Sequence, residues 1–108
     1  MLDQTAVINT VAKYADAVTQ HLSPSSIILF GSYAKGEARE DSDIDVAIVF
    51  DGFKGDWLKT SALLWSLCRG ISYDIEPHLL DTTTDNSGFL GHVLKTGKVI
   101  YGSGVNRG

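Results

Sequence analysis

Two aspartates one residue apart, Asp43 and Asp45, open the apolar run "DIDVAIVF" at residues 43 to 50, and a Gly-Ser pair, Gly31 and Ser32, precedes them by ten residues. In an extended strand, residues two apart point the same way, so both carboxylates project from one face while Ile44 points to the other. Two like charges on a half-buried strand repel each other and oppose folding unless a cation lies between them. A divalent metal ion meets that need. Hard oxygen ligands suit Mg²⁺, with Mn²⁺ as the alternative, and these ions keep several waters and complete their shell with substrate phosphates. The Gly-Ser pair has the matching chemistry, because Gly31 lets a backbone approach a ligand closely and Ser32 brings a hydroxyl and the free N–H groups of a helix start. Together they point to a nucleoside triphosphate. A third carboxylate from another strand would complete a two-metal arrangement. Asp74 in "YDIE" is the choice, with Glu76 on the same strand face as the alternative.

The elements that must position these groups follow from periodicity. Val7, Val11, Tyr14, Ala15, Val18 and Leu22 recur at spacings of three and four, which predicts an amphipathic helix over residues 3–22, ended by Pro24 and its serines. "SIILF" (26–30) reads as a short strand buried on both faces, which puts Gly31 and Ser32 at its carboxyl end. A short helix over 32–38, weakened by Gly36, and a polar turn, "REDS", lead to the strand 43–50. A helix over 56–69 with a broad apolar face stops at Gly70. "ISYDIEPHLL" (71–80) is a third strand in which Asp74 and Glu76 share a face and Pro77 favours an edge position. "SGFLGHVLKTG" gives a short helix and "KVIYG" a last strand or extended segment, before a tail, "SGVNRG", read as a flexible terminus. The order predicts an α/β (α+β) domain on a small mixed sheet flanked by helices, in two or three layers, with residues 1–108 as one domain. The glycine pair at the end of the first strand meets the acids at the start of the second only if those strands are antiparallel neighbours.

Composition narrows the function classes. The chain has 108 residues, 44% of them hydrophobic, enough for one modest core. Nine basic against 13 acidic residues, a formal charge of −4, argue against nonspecific adhesion to nucleic acid or to an anionic membrane. No stretch reaches the ~18 apolar residues of a membrane helix, and "MLDQTAVINT" lacks a basic signal-peptide start, so a cytoplasmic protein is expected. Cys68 is the single cysteine, which leaves no intramolecular disulfide or cysteine cluster for zinc, and it reads as a small core residue.

The spacing of Gly31-Ser32, ten residues, then Asp43-Ile44-Asp45, together with "GSYAKGEA" and "DSDID", resembles the signature of the DNA polymerase beta-like nucleotidyltransferases, in particular their minimal nucleotidyltransferase (MNT) branch. The resemblance extends over nearly the whole chain in order of elements and in length. It implies the polymerase-beta-like fold, Asp43, Asp45 and Asp74 as catalytic residues and ligands of two Mg²⁺ ions, and Gly31 and Ser32 as the groups holding ATP. It further implies an antitoxin that pairs as a hetero-oligomer with a small helical HEPN-family toxin and transfers AMP to one of the toxin's tyrosines, with no membrane and no direct nucleic-acid binding. The acceptor could instead be a small-molecule hydroxyl, though enzymes of that kind usually add an acceptor domain for which 108 residues leave no room. A noncatalytic subunit that masks its partner is a third alternative.

Other residues carry blander expectations. Taken singly, "GS" is a common turn, "DSDID" a solvated turn running into a strand, and Asp74 an ordinary exposed acid. Lys35 and Arg39 either screen triphosphate charge or solvate a loop. Trp57 and Trp65, eight apart on one helix, suggest core or subunit packing rather than base stacking. His21, His78 and His92 show no metal-ligand spacing and are given no role.

Overall fold

Asp3 caps the first helix. Its carboxylate accepts the Ala6 N–H at 2.8 Å and opens α1 (Gln4–Thr19). The computed structural model describes residues 3–39, 42–85 and 87–102. After α1 come β1 (Ser26–Phe30), α2 (Ser32–Lys35), β2 (Ile44–Phe50), α3 (Trp57–Arg69), β3 (Ile75–Asp81), α4 (Phe89–Thr96) and β4 (Lys98–Gly102). Every element expected from periodicity is present, with shorter bounds for the first two helices and a later start for the third strand.

The sheet order is β3-β2-β1-β4. β1 runs antiparallel to β2, with Phe30 opposite Asp45, and β2 runs parallel to β3, with Asp45 opposite Glu76. The sheet is therefore mixed, and the antiparallel neighbourhood required by the Gly-Ser and acid pairs is the one observed. Pro77 lies on an edge strand, where the missing N–H leaves no ladder bond unmade in the sheet interior.

Side-chain alternation divides the core in two. Ile27 and Leu29 of β1, Ile44, Val46 and Ile48 of β2 and Ile75 of β3 face α1 and α3, where they meet Val7, Val11, Tyr14, Val18, Leu64 and Cys68. Ile28 and Phe30, with Ala47 and Val49, face the other way onto Leu90 and Val93 of α4. The result is three layers, α1 and α3, then the sheet, then α4. Burying each of the larger aliphatic side chains contributes about 1.5 to 3 kcal/mol before ordering costs. The Tyr14 hydroxyl donates to the Leu64 carbonyl at 2.8 Å and pins α1 to α3. Burial raises the Tyr14 phenol well above its ordinary value, so it stays a neutral donor.

Of the two expectations for Trp57 and Trp65, core or subunit packing, the core is not the one seen: they are 43% and 47% exposed. Trp57 packs edge-on against Phe53 in the loop before α3, at 5.3 Å between ring centres. The apolar face of α3 is wider than the sheet it covers, so only Leu64 and Cys68 are fully enclosed.

Candidate active site

β1 is an apolar strand enclosed on both faces, and its chain leaves the sheet at Gly31 with φ +79° and ψ −153°, a conformation costly for any residue with a side chain. That turn starts α2, a single helical turn whose Lys35 N–H donates to the Gly31 carbonyl at 3.1 Å. The Gln4 side chain at the start of α1 donates to the Tyr33 carbonyl at 3.0 Å and holds this turn in place. Gly36, at φ +74°, ends α2 in the left-handed region, which is why the helix stops at Lys35 and not at residue 38.

Antiparallel pairing brings Asp45 back beside Gly31. A Cβ placed on Gly31 would collide with Asp45 Oδ2 and lie 3.3 Å from its Cγ. The absence of a side chain at 31 is thus what lets the carboxylate lie against the turn. On the other side, the parallel register sets Glu76 directly beside Asp45 and His78 two residues along the same face. His78 Nε2 lies 3.3 Å from Asp45 Oδ1 and 3.5 Å from Glu76 Oε1. Asp45, Glu76 and His78 each offer a ligand atom within 4.8 Å of the others.

The electrostatics follow from this crowding. The Glu76 carboxyl is raised above its ordinary value, first by its hydrogen bond with Asp45, then by burial and by the charges of Asp45 and Asp43. His78 is raised as well, chiefly by its hydrogen bond to Asp45, against the lowering effect of burial. The Phe30 and His78 rings meet in a T-shaped pair with centres 5.0 Å apart and Phe89 lies 6.3 Å from His78, so the imidazole is held from the α4 side.

The residues singled out from sequence are distributed unevenly. Gly31 and Asp45 are in contact, and Ser32 follows as the first residue of α2. Asp43 lies one residue before β2, exposed, at the mouth of the cluster, where its charge is felt by Glu76. Asp74 is not drawn in. α3 unwinds through a turn in which Ile71 and Ser72 donate to the Cys68 carbonyl, so β3 starts at Ile75 and Asp74 stays exposed in the turn before it. Its carbonyl accepts from Ile44 N–H at 2.7 Å and its own N–H donates to Ser72 Oγ at 3.1 Å. The carboxylate that stands beside Asp45 belongs to Glu76. Lys35 and Arg39 are both exposed; the Arg39 N–H donates to Ser42 Oγ and closes the described part of the polar turn, of which Glu40 and Asp41 lie outside the described residues.

His78 has no ligand-spaced histidine or cysteine neighbour along the chain, so the sequence by itself gives it no role. The signal that could have found it is its position two residues beyond Glu76 on a strand, combined with parallel pairing to β2. Ala47, opposite His78 on the same face, is small enough to leave the imidazole room to reach back to Asp45.

Two carboxylates and an imidazole converging on one point, with a third carboxylate at the mouth, form a donor set suited to a divalent cation. The side-chain-free turn at Gly31 seats the Asp45 carboxylate against the start of α2, where Ser32 adds a hydroxyl. The residues present therefore fit a metal and nucleotide site.

Comparison with known proteins agrees with the geometry. Residues 12–104 match the family described as Polymerase beta, Nucleotidyltransferase. A Methanocaldococcus jannaschii protein provisionally named a protein adenylyltransferase is 38% identical over 77 residues, covering 69% of this chain and 76% of that protein. A crystal structure from Sulfolobus solfataricus, provisionally described as a nucleotidyltransferase, superposes with a TM-score of 0.65 at 22% identity, over 97% of this chain and 86% of that one. A chain from the complex of a tri-AMPylated Shewanella oneidensis HEPN toxin with an MNT antitoxin gives a TM-score of 0.57 at 23% identity, over 93% of this chain and 73% of that one. At these identities the two solved structures bear on the fold.

Proposed function

The chain belongs to the polymerase beta nucleotidyltransferase family, and from that membership and the cluster around Asp45 we propose that it transfers AMP from ATP to a tyrosine hydroxyl of a HEPN-family toxin partner and so acts as the antitoxin of the pair. The observation that carries this reading is the meeting of three strands' contributions at one point: the Gly31 turn from β1, Asp45 from β2 and Glu76 from β3. The adenylyl group and the toxin partner are carried over from the M. jannaschii relative and the S. oneidensis complex.

Asp43 and Asp45 would hold the divalent ions, and Glu76, not Asp74, would be the third carboxylate. A metal held there would supply charge neutralisation for the triphosphate and the departing pyrophosphate. Gly31 and Ser32 fix the triphosphate through backbone N–H groups and the Ser32 hydroxyl, which keeps the α-phosphorus in one orientation. The acceptor oxygen attacks that phosphorus in line; the new P–O bond forms as the bond to the pyrophosphate oxygen breaks. Glu76, with its side chain 43% exposed, is open to solvent and would take the hydroxyl proton. The solvent-facing apolar side of α3, with Leu58 80% and Trp65 47% exposed, offers surface for a protein partner.

Incubation with labelled ATP, a divalent metal and the helical partner tests the proposal. Label should pass to the partner and be abolished in the Asp43→Ala, Asp45→Ala double variant. No transfer by the unmodified chain would sink it, and intact inhibition of the partner by the double variant would favour masking through the α3 face instead.

A further inference from the structure

We propose that Asp45, Glu76 and His78 form a mixed carboxylate and imidazole site that takes a first-row transition-metal ion, with Mn²⁺ as the probe, in preference to Mg²⁺. The inference rests on reading this cluster as the metal-holding part of a nucleotidyl-transfer site, and it changes what that site should prefer. Carboxylates alone leave Mg²⁺ as the expected ion, because it demands oxygen donors and gives up water reluctantly. A nitrogen donor shifts the balance, since imidazole is a good ligand for transition metals and a poor one for magnesium.

The distances support direct ligation. Octahedral bonds of about 2.1 Å put neighbouring donors about 3 Å apart. The separations of 3.3 Å from His78 Nε2 to Asp45 Oδ1 and 3.5 Å to Glu76 Oε1 need only a small contraction to become two edges of such a polyhedron. The imidazole is also prepared for the task. Phe30 fixes its ring from β1, Phe89 limits it from α4, and the strand register aims Nε2 between the two carboxylates and away from the apolar interior. Among the described residues this is the one such group of ligand side chains. Mn²⁺ is a conservative probe because it binds most weakly of the divalent series from manganese to zinc, so a preference for it over Mg²⁺ extends to the later ions.

The test uses the whole chain without nucleotide. Electron spin echo spectroscopy of the Mn²⁺-loaded protein should show ¹⁴N coupling from a directly bound imidazole, and that coupling should vanish in His78→Gln while it persists in His92→Gln. Competition titration should show Mn²⁺ bound about 10-fold or more tightly than Mg²⁺, with the ratio falling by about 10- to 100-fold in His78→Gln. Absence of nitrogen coupling in the Mn²⁺-loaded unmodified chain overturns the proposal, as does equal affinity for the two ions; both are read on the native protein and do not depend on the folding of a variant. Failure here leaves the transfer of AMP standing if label still reaches the partner. Nitrogen coupling without transfer would uphold the metal site and count against the transfer reaction.

Discussion

Replacing Gly31 by alanine perturbs the site at its tightest point. The residue sits at φ +79° and ψ −153°, where an L side chain costs about 1 to 3 kcal/mol in backbone strain. The new methyl would also collide with Asp45 Oδ2 and approach its Cβ at 3.4 Å, and crowding of this kind costs about 1 to 3 kcal/mol more if the carboxylate stays in place. If Asp45 swings away, stability is partly recovered but the 3.3 Å contact to His78 is lost. Gly36→Ala is the matched control. It also has positive φ, +74°, with nothing within 4 Å of the added Cβ, so it should lose only the left-handed penalty of about 1 to 2 kcal/mol. Thermal unfolding measures the first effect, at about 4 to 8 °C per kcal/mol for a domain of this size. Cation titration measures the second: Gly31→Ala should bind divalent ions weakly, and Gly36→Ala as the unmodified chain does. Equal melting temperatures for the two variants, with unimpaired cation binding in Gly31→Ala, would refute the claim that the turn and the carboxylate are pressed together.

Three further outcomes are expected. Glu76→Gln should lose divalent-cation affinity and labelled-AMP transfer by about 10-fold or more, whereas Asp74→Asn should stay within about threefold of the unmodified chain, both read by titration and single-turnover transfer. Asp81, buried at the pole opposite the site, accepts the N–H groups of Gly52, Phe53 and Thr83, with the largest effect from Thr83, and these bonds hold its carboxyl down to about 2. Because the folded value lies below the ordinary one of 3.8, its stabilisation is present above about pH 4 and lost as pH falls through about 2. Asp81→Asn should therefore melt below the unmodified chain at neutral pH, with the gap closing on acidification and cation binding unaffected. Tyr14→Phe removes the buried bond to the Leu64 carbonyl at 2.8 Å and should cost about 1 kcal/mol in chemical denaturation without changing the site.

The element order and the antiparallel meeting of β1 with β2 were legible because they rest on strong local signals. Four consecutive apolar residues followed by a glycine, and an apolar run opened by alternating acids, leave little choice of structure or of neighbour. Which acid of the third strand stands beside Asp45 was not legible, because it depends on where that strand begins. "ISYDIEPHLL" reads as continuous strand, but Ile71 and Ser72 turn back to donate to the Cys68 carbonyl at the end of α3, and that delay puts Glu76 beside Asp45 and leaves Asp74 in the turn. His78 was hidden for a related reason. Asp45 lies on a different strand, and only the parallel register of β2 with β3 brings it to His78. The exposure of Trp57 and Trp65 reflects the limits of periodicity, which marks an apolar face but not how much of it the sheet can cover.

The most direct measurement follows the two ends of ATP separately in one reaction with the helical partner and a divalent ion. Nucleotidyl transfer at the Gly31, Asp45 and Glu76 junction predicts that label at the α-phosphorus becomes covalently attached to the partner, while label at the γ-phosphorus is released in pyrophosphate. Label from the γ-phosphorus on the partner, or release of inorganic phosphate with no covalent product, would contradict it.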